Sequence, residues 1–420
     1  MKKEIFSLVE KYFAVKDEDE FIPGESIIGV GFPCFDHNEV NNAIDSLLEL
    51  RISQGEKVKY FEEKYSEYVG TKYGVAVNSG SSANLIALAS LLQTNKVMAG
   101  SEVIVPSATF ATVLSPIIQL GLKPVFVDIE PNSYNIDPRE IEKAITKNTG
   151  LIMPVHSLGL SADIEKIMKI ANENDLCVFE DCCEAHGAKV NERVVGSFGD
   201  LSAYSFFVAH NMTSGEGGMV MTDNEDLYQS LLSIREFGRY KGVSQGGLRF
   251  SYSDEYLQDY DERYIFETIG YNVRMSDIHA SLGIEQLKKL DEFNKKRVEN
   301  ANKYNEALKK YDDYIKLPEH PEEYYHSFYG YTLVVKQDAP FRRVDIVRYL
   351  EDKNIETRAF MGGSLIKQPA FRKENMRIVG NMKETENILN NAFFIGCHPK
   401  IGNEQIDYVI DIFEKFFEKI

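Results

Sequence analysis

The chain has 420 residues, too many for one ordinary core, and its 43% hydrophobic content suffices for two packed domains. Its formal net charge of -18 argues against a nucleic-acid partner, because such a surface repels phosphate backbones; a small anion needs only a local cluster of cations and N–H groups. No apolar run is long enough to span a membrane, and Met1-Lys2-Lys3-Glu4-Ile5-Phe6-Ser7 lacks the continuous apolar stretch of a signal peptide, so a cytoplasmic protein is expected.

In chain order, residues 1–40 read as an N-terminal arm: a helix, then a Gly/Pro-punctuated stretch from Ile22 to Pro33. Residues 41–290 read as a large domain. Val58–Val69 has helical periodicity, Gly74–Val77 is a short strand, and Ala83–Leu92 is a helix opened by a Gly-Ser-Ser turn. Short apolar runs follow at Glu102–Pro106, Pro124–Asp128, Leu151–Pro154 and Cys177–Glu180, with helical stretches near Phe110–Leu120, Arg139–Ile145 and Ile164–Asn172 between them. Strands alternating with helices predict an α/β fold around a mixed, mostly parallel sheet, with functional residues at the carboxyl ends of its strands. Ser276–Leu290 is expected to run on into a charged connector helix, Asp291–Tyr311. Residues 291–420 hold that connector and a smaller α/β domain, with a strand at Tyr331–Val335, a helix at Val344–Lys353, a strand at Glu356–Ala359 and a closing amphipathic helix at Glu404–Phe417.

The five cysteines, Cys34, Cys177, Cys182, Cys183 and Cys397, are odd in number and irregular in spacing. No disulfide framework is expected, and the vicinal Cys182-Cys183 lacks the further ligands that a metal site requires.

Several segments carry candidate chemistry. Asn78-Ser79-Gly80-Ser81-Ser82-Ala83-Asn84 follows a strand and opens a helix; it is an anion seat or a plain helix cap. Glu180-Asp181 ends a buried strand, and Glu184 follows three residues later, facing either a ligand or the surface. Phe110 heads a helix, where it can stack on a flat ring or simply join the core. His186 reads as structural or as a support to some other group. Asn272 and Arg274 lie in a loop before a helix and serve an anion or brace the loop. Ser205 precedes His210 by five residues in Ser205-Phe206-Phe207-Val208-Ala209-His210-Asn211-Met212-Thr213-Ser214-Gly215-Glu216-Gly217-Gly218.

That last stretch resembles the cofactor-lysine segment of the DegT-type sugar aminotransferase and dehydratase family, a branch of the aspartate aminotransferase fold (type I of the pyridoxal-phosphate transferases). The resemblance runs from about residue 25 to the C-terminus. It implies that Asp181 pairs with the pyridine nitrogen of pyridoxal or pyridoxamine phosphate (PLP or PMP), that Ser81, Ser82 and Ser205 bind the phosphate, and that Phe110 stacks on the ring. It also implies that Glu184 lines the cofactor face. Asn272 reaches the phosphate held by the neighbouring subunit, which makes a homodimer with shared active sites.

His210 stands where this family carries lysine. A lysine amine forms a Schiff base with PLP; an imidazole cannot, and can serve instead as an acid–base group beside an unanchored cofactor. Two kinds of sugar 3-dehydratase in the family carry histidine there, one with an iron–sulfur cluster and one without. Val208-Ala209-His210-Asn211, Gly362-Gly363-Ser364-Leu365 and Gln368-Pro369-Ala370-Phe371 are similar to the first kind. Glu184 matches the second, and no cysteine occurs from Tyr240 to Tyr264, where the cluster type carries its ligands. The resemblance therefore implies a cluster-free, PMP-dependent 3-dehydratase acting on a GDP- or CDP-linked 4-keto-6-deoxy sugar, with no metal and with L-glutamate restoring PMP. The alternatives are a PLP-dependent nucleotide-sugar aminotransferase and a catalytically dead binding subunit.

Overall fold

The computed structural model describes residues 1–16, 20–240, 254–257 and 260–420. Most of the cysteine-free stretch that follows Arg239 lies outside the described residues. Among those described, no helix is long and apolar enough to cross a membrane.

The larger sheet has eight strands in the order Tyr73–Val77, Gly218–Thr222, Leu201–Ser205, Cys177–Asp181, Thr149–Ile152, Glu102–Pro106, Lys123–Val127 and Arg377–Ile378. The run from Leu201–Ser205 to Arg377–Ile378 is parallel throughout, and Gly218–Thr222 is antiparallel to both of its neighbours. Strands such as Glu102–Pro106 and Leu201–Ser205 are buried along their whole length, as a sheet covered on both faces requires. Alternation then divides them between two cores. Ile104 and Val178 face the layer of Phe61, Tyr65 and Ile167, whereas Val103, Val105 and Phe179 face the layer of Ile86, Leu88 and Val113.

The expected mostly parallel sheet is present, with three strands that the sequence reading lacks: Leu201–Ser205, which leads into the Ser205–Gly218 motif, and two others. Gly218–Thr222 directly follows the Gly215–Gly217 turn and reads as part of that motif. Arg377–Ile378 is too short to show a period; the Arg377 guanidinium anchors it on Glu102 at 2.7 and 3.0 Å.

The smaller sheet is antiparallel, in the order Ile315–Lys316, Tyr331–Val335, Ala392–Ile395 and Thr357–Ala359. It packs with the helices Leu290–Leu308 and Asn403–Phe417 around Tyr304, Leu333, Phe393 and Phe413. Ile28 of the N-terminal segment joins this core and bridges Ile355. The helix His37–Leu48 spans residue 40 and lies on the larger unit, where Ser46 and Ser281 share a hydrogen bond of 2.7 Å.

The expected continuous run from Ser276 into the connector is broken. One helix covers Asp277–Leu287 and the next Leu290–Leu308, and between them Lys289 turns its ammonium onto Glu39 (2.6 Å) and Asp36 (2.9 Å).

Candidate active site

The carboxyl ends of five strands converge on a cavity of about 330 Å³. Residues 79–81 enter after Tyr73–Val77, and Phe110 and Thr112 after Glu102–Pro106. Val155 follows Thr149–Ile152, Asp181 to Glu184 end Cys177–Asp181, and Ser205 to His210 end Leu201–Ser205. This is where a doubly wound sheet places its ligands.

The phosphate-seat segment forms the start of the helix Gly80–Gln93, capped by Ser79, whose Oγ accepts from Ser82 N at 3.1 Å. A Cβ on Gly80 would lie 2.5 Å from Ser205 Cβ, and one on Gly218 would lie 2.4 Å from the Ser79 carbonyl oxygen. Only glycines allow the helix start to sit against these two strand ends. Ser79, Gly80 and Ser81 thereby line the cavity beside Ser205, and a helix start of this kind leaves N–H groups without partners inside the helix. Ser82 does not line the cavity; its hydroxyl donates to Asn78 Oδ1 at 2.6 Å. Ser79, absent from the sequence-derived site, does line it.

Asp181 is 4% exposed. Its Oδ2 accepts from Asn84 Nδ2 at 2.9 Å and its Oδ1 from Cys183 N at 3.0 Å, so the carboxylate is fixed at the cavity wall. Its neighbour Glu180 points to the other side of the strand. There its oxygens accept from Gly196 N (2.8 Å), Phe198 N (2.8 Å), Gly199 N (2.7 Å) and the His156 ring (3.1 Å). His156, Glu180 and Cys182 lie close enough to share a metal ion, but these bonds, together with Ala162 N on His156 Nδ1 at 3.0 Å, already use the donor atoms of the first two as a structural brace.

Glu184 faces the cavity and accepts from Leu158 N at 3.0 Å. Burial pushes its carboxyl up to about 8; the Leu158 N–H opposes the rise and the Asp181 charge adds to it. Leu158 reaches Glu184 from a left-handed backbone, φ +50°.

His210 Nδ1 lies 2.8 Å from the Ser205 carbonyl oxygen. A carbonyl only accepts, so Nδ1 carries the hydrogen. Burial pushes the imidazole down to about 4, against the pull of that carbonyl and aided by the Arg297 guanidinium. The neutral ring therefore keeps Nε2 unprotonated. Nε2 has no hydrogen-bond partner among the described residues, on a ring that lines the cavity. Tyr329 meets the ring edge-on, centroids 5.3 Å apart at 86°.

Phe110 stands 55% exposed at the rim, free to cover a planar ligand. Asn272 lies outside the cavity, exposed, with Oδ1 accepting from Arg274 Nε at 3.1 Å. Tyr329, Met361, Phe207 and Glu216 also line the cavity and were not in the sequence-derived site. Glu216 belongs to the quoted Gly-Glu-Gly-Gly motif; Tyr329 and Met361 come from loops without a motif.

These residues fit a B6 cofactor. The glycine-floored helix start suits a phosphate, Asp181 suits a protonated pyridine nitrogen, and Phe110 suits the ring face. The Lys-to-His exchange removes only the covalent anchor.

The chain matches the DegT/DnrJ/EryC1/StrS aminotransferase family over residues 33–414. It is 34% identical to the Lipopolysaccharide biosynthesis protein RfbH of Salmonella typhimurium, over 99% of this chain and 98% of that one. It is likewise 34% identical to the GDP-4-keto-6-deoxy-D-mannose 3-dehydratase of Yersinia pseudotuberculosis, over 92% of this chain and 99% of that one. A solved GDP-4-keto-6-deoxymannose-3-dehydratase with a trapped PLP-glutamate geminal diamine superposes with a TM-score of 0.84 at 30% identity, covering 92% of this chain and 99% of that one. The chain therefore belongs to the DegT/DnrJ/EryC1/StrS aminotransferase family, has the α/β fold of its PLP-dependent enzymes, and takes the B6 cofactor of that family.

Proposed function

We propose that the protein is a cluster-free 3-dehydratase that removes the carbon-3 hydroxyl of a GDP- or CDP-linked 4-keto-6-deoxy sugar, giving a 4-keto-3,6-dideoxy sugar. The observation that carries the reading is His210: an imidazole at the family's lysine position, with Nε2 unprotonated on a cavity-lining ring. When bound, PMP supplies an amine for the carbon-4 ketone and a ring that accepts electrons. Asp181 holds a positive ring nitrogen, and Ser81, Ser205 and the first-turn N–H groups hold the phosphate. Ser82 contributes through the helix cap, and Phe110 covers the ring. His210 Nε2 takes a proton and returns one to the hydroxide that leaves carbon 3, so the oxygen departs as water. Glu184, neutral at pH 7, donates rather than repels at an anionic cavity. L-glutamate as amino donor is supported by the adduct in the similar solved structure. Asn272, outside the monomer's cavity, is assigned to the partner subunit's cofactor in a homodimer.

An aminotransferase of this family needs a lysine at the cofactor, and no lysine lines the cavity among the described residues. The test is a single turnover with preformed PMP and a panel of GDP- and CDP-linked 4-keto-6-deoxy sugars, without iron or reductase, following carbon-3 oxygen loss by mass spectrometry. Wild type is expected to dehydrate one of them. His210→Asn is expected to be slower by about 10²–10⁴-fold while still binding PMP. A His210→Asn rate near wild type overturns the reading.

A further inference from the structure

His210 is not alone on the Ser205 carbonyl. Parallel pairing of Leu201–Ser205 with Cys177–Asp181 ends at Asp181 and Ala203, where Cys182 N takes the Ala203 oxygen at 2.8 Å. Ser205 lies two residues beyond. Its oxygen receives two imidazoles instead, His210 Nδ1 at 2.8 Å and His186 Nε2 at 2.7 Å. His186 is fully buried, with Tyr204 and Phe206 packed around its ring. Its Nδ1 meets the Tyr65 hydroxyl at 2.7 Å, and Tyr65 is also fully buried. Asn294 of the connector helix donates to the His186 carbonyl at 2.8 Å and fixes the backbone there.

The donor assignments along this chain are forced. The Ser205 oxygen only accepts, so His186 Nε2 must carry a hydrogen. Burial pushes the His186 ring down to about 3, so it is neutral and its Nδ1 accepts from the Tyr65 O–H. The second lone pair of the same oxygen then accepts from His210 Nδ1. The carbonyl itself leaves His210 the tautomer with Nε2 free, and His186 with Tyr65 behind it holds that carbonyl where His210 Nδ1 meets it.

We propose that His186 and Tyr65 are positioning residues that fix the Ser205 carbonyl and, through it, the tautomer of His210. This rests on the reading of His210 as the proton-shuttling group. A histidine that merely fills the core would influence folding and leave the tautomer of its neighbour unchanged.

The experiment uses full-length protein carrying ¹⁵N-labelled histidine, with two-bond proton–nitrogen correlations to report which nitrogen of each ring is protonated. The His210→Asn variant assigns the His210 signals by difference. Wild type is expected to show His210 protonated at Nδ1 alone. In His186→Leu and in Tyr65→Phe, which leaves the ring in place, His210 is expected to exchange between Nδ1–H and Nε2–H forms. The single-turnover rate is expected to fall by about tenfold, the scale of one neutral hydrogen bond, with PMP affinity within about twofold of wild type. His186→Gln, whose amide can donate to the same carbonyl, is expected to recover most of the tautomer and rate. A single Nδ1–H tautomer retained in both His186→Leu and Tyr65→Phe overturns the proposal. Should His186→Leu fail to fold, Tyr65→Phe alone decides. The tautomer measurement needs no substrate, so its failure is distinguishable from failure of the dehydratase reading.

Discussion

Two walls of different origin enclose the cavity. The wall of the larger sheet brings Ser79, Ser81, Asp181, Ser205 and His210, each at a strand end or within five residues of one. The facing wall brings Tyr329 and Met361 from loops beside the smaller sheet. Its backbone is in the left-handed region at Phe328 (φ +45°) and at Met361 (φ +44°). Conformations of this kind, costly for bulky residues, persist only where surrounding structure over-determines them. Here the Arg297 guanidinium, 1% exposed, donates to the carbonyls of Phe328 (3.1 Å) and Tyr329 (3.0 Å). The first wall is built by the regular geometry of a sheet and holds the groups proposed to react. The second is built by tertiary contacts and lines the same cavity through Tyr329 and Met361.

If that division of labour holds, substitutions on the sheet wall act on the chemical step. Asp181→Asn is expected to lower the single-turnover rate by about 10²–10³-fold, the size of one lost electrostatic stabiliser. A thermal midpoint recorded alongside separates lost chemistry from lost folding, and an unchanged rate breaks the comparison.

Gly80→Ala probes the junction of helix and strand. Its methyl would meet Ser205 Cβ at 2.5 Å, so a stability loss of about 1–3 kcal/mol is expected from overpacking. Denaturant midpoints and calorimetric PMP affinity should fall together. Wild-type values for both would show that the helix start has room to shift.

The smallest effect is expected across the cavity. Tyr329→Phe keeps the ring on His210 and removes only a hydroxyl. The sugar-nucleotide KM is expected to rise by up to about tenfold, with the saturating single-turnover rate within about twofold. A collapse of that rate instead would place Tyr329 among the reacting groups and erase the contrast between the walls.

The same contrast explains what the sequence reveals. Asp181 is legible because the apolar run Cys177–Glu180 marks the end of its strand, whereas Ser205 and His210 are legible through the resemblance of Ser205–Gly218 to the family's cofactor-lysine segment. Ser81 and Ser82 read alike in a helix-opening motif, yet the first turn of a helix directs neighbouring side chains differently, and only Ser81 and the capping Ser79 line the cavity. Glu180 and Asp181 read as one acidic pair; strand alternation gives the first to the brace of residues 196–199 and the second to the cavity. Tyr329 was illegible because its place depends on Arg297, 32 residues away, and on a backbone twist with no glycine to announce it. The break at Lys289 was illegible for a similar reason: its partners Asp36 and Glu39 come from the other end of the chain.

The acids around the cavity have an electrical consequence. Asp181, Glu184 and Glu216 line it, and no lysine or arginine does so among the described residues. An incoming phosphate dianion meets hydrogen-bond donors on this wall and three acids beside them. Glu184, with a carboxyl near 8, withdraws one negative charge from this wall when it holds a proton. Loading the site is therefore a titration as much as a docking event, and the affinity for an anionic ligand strengthens as the solution becomes more acidic through the range in which Glu184 fills.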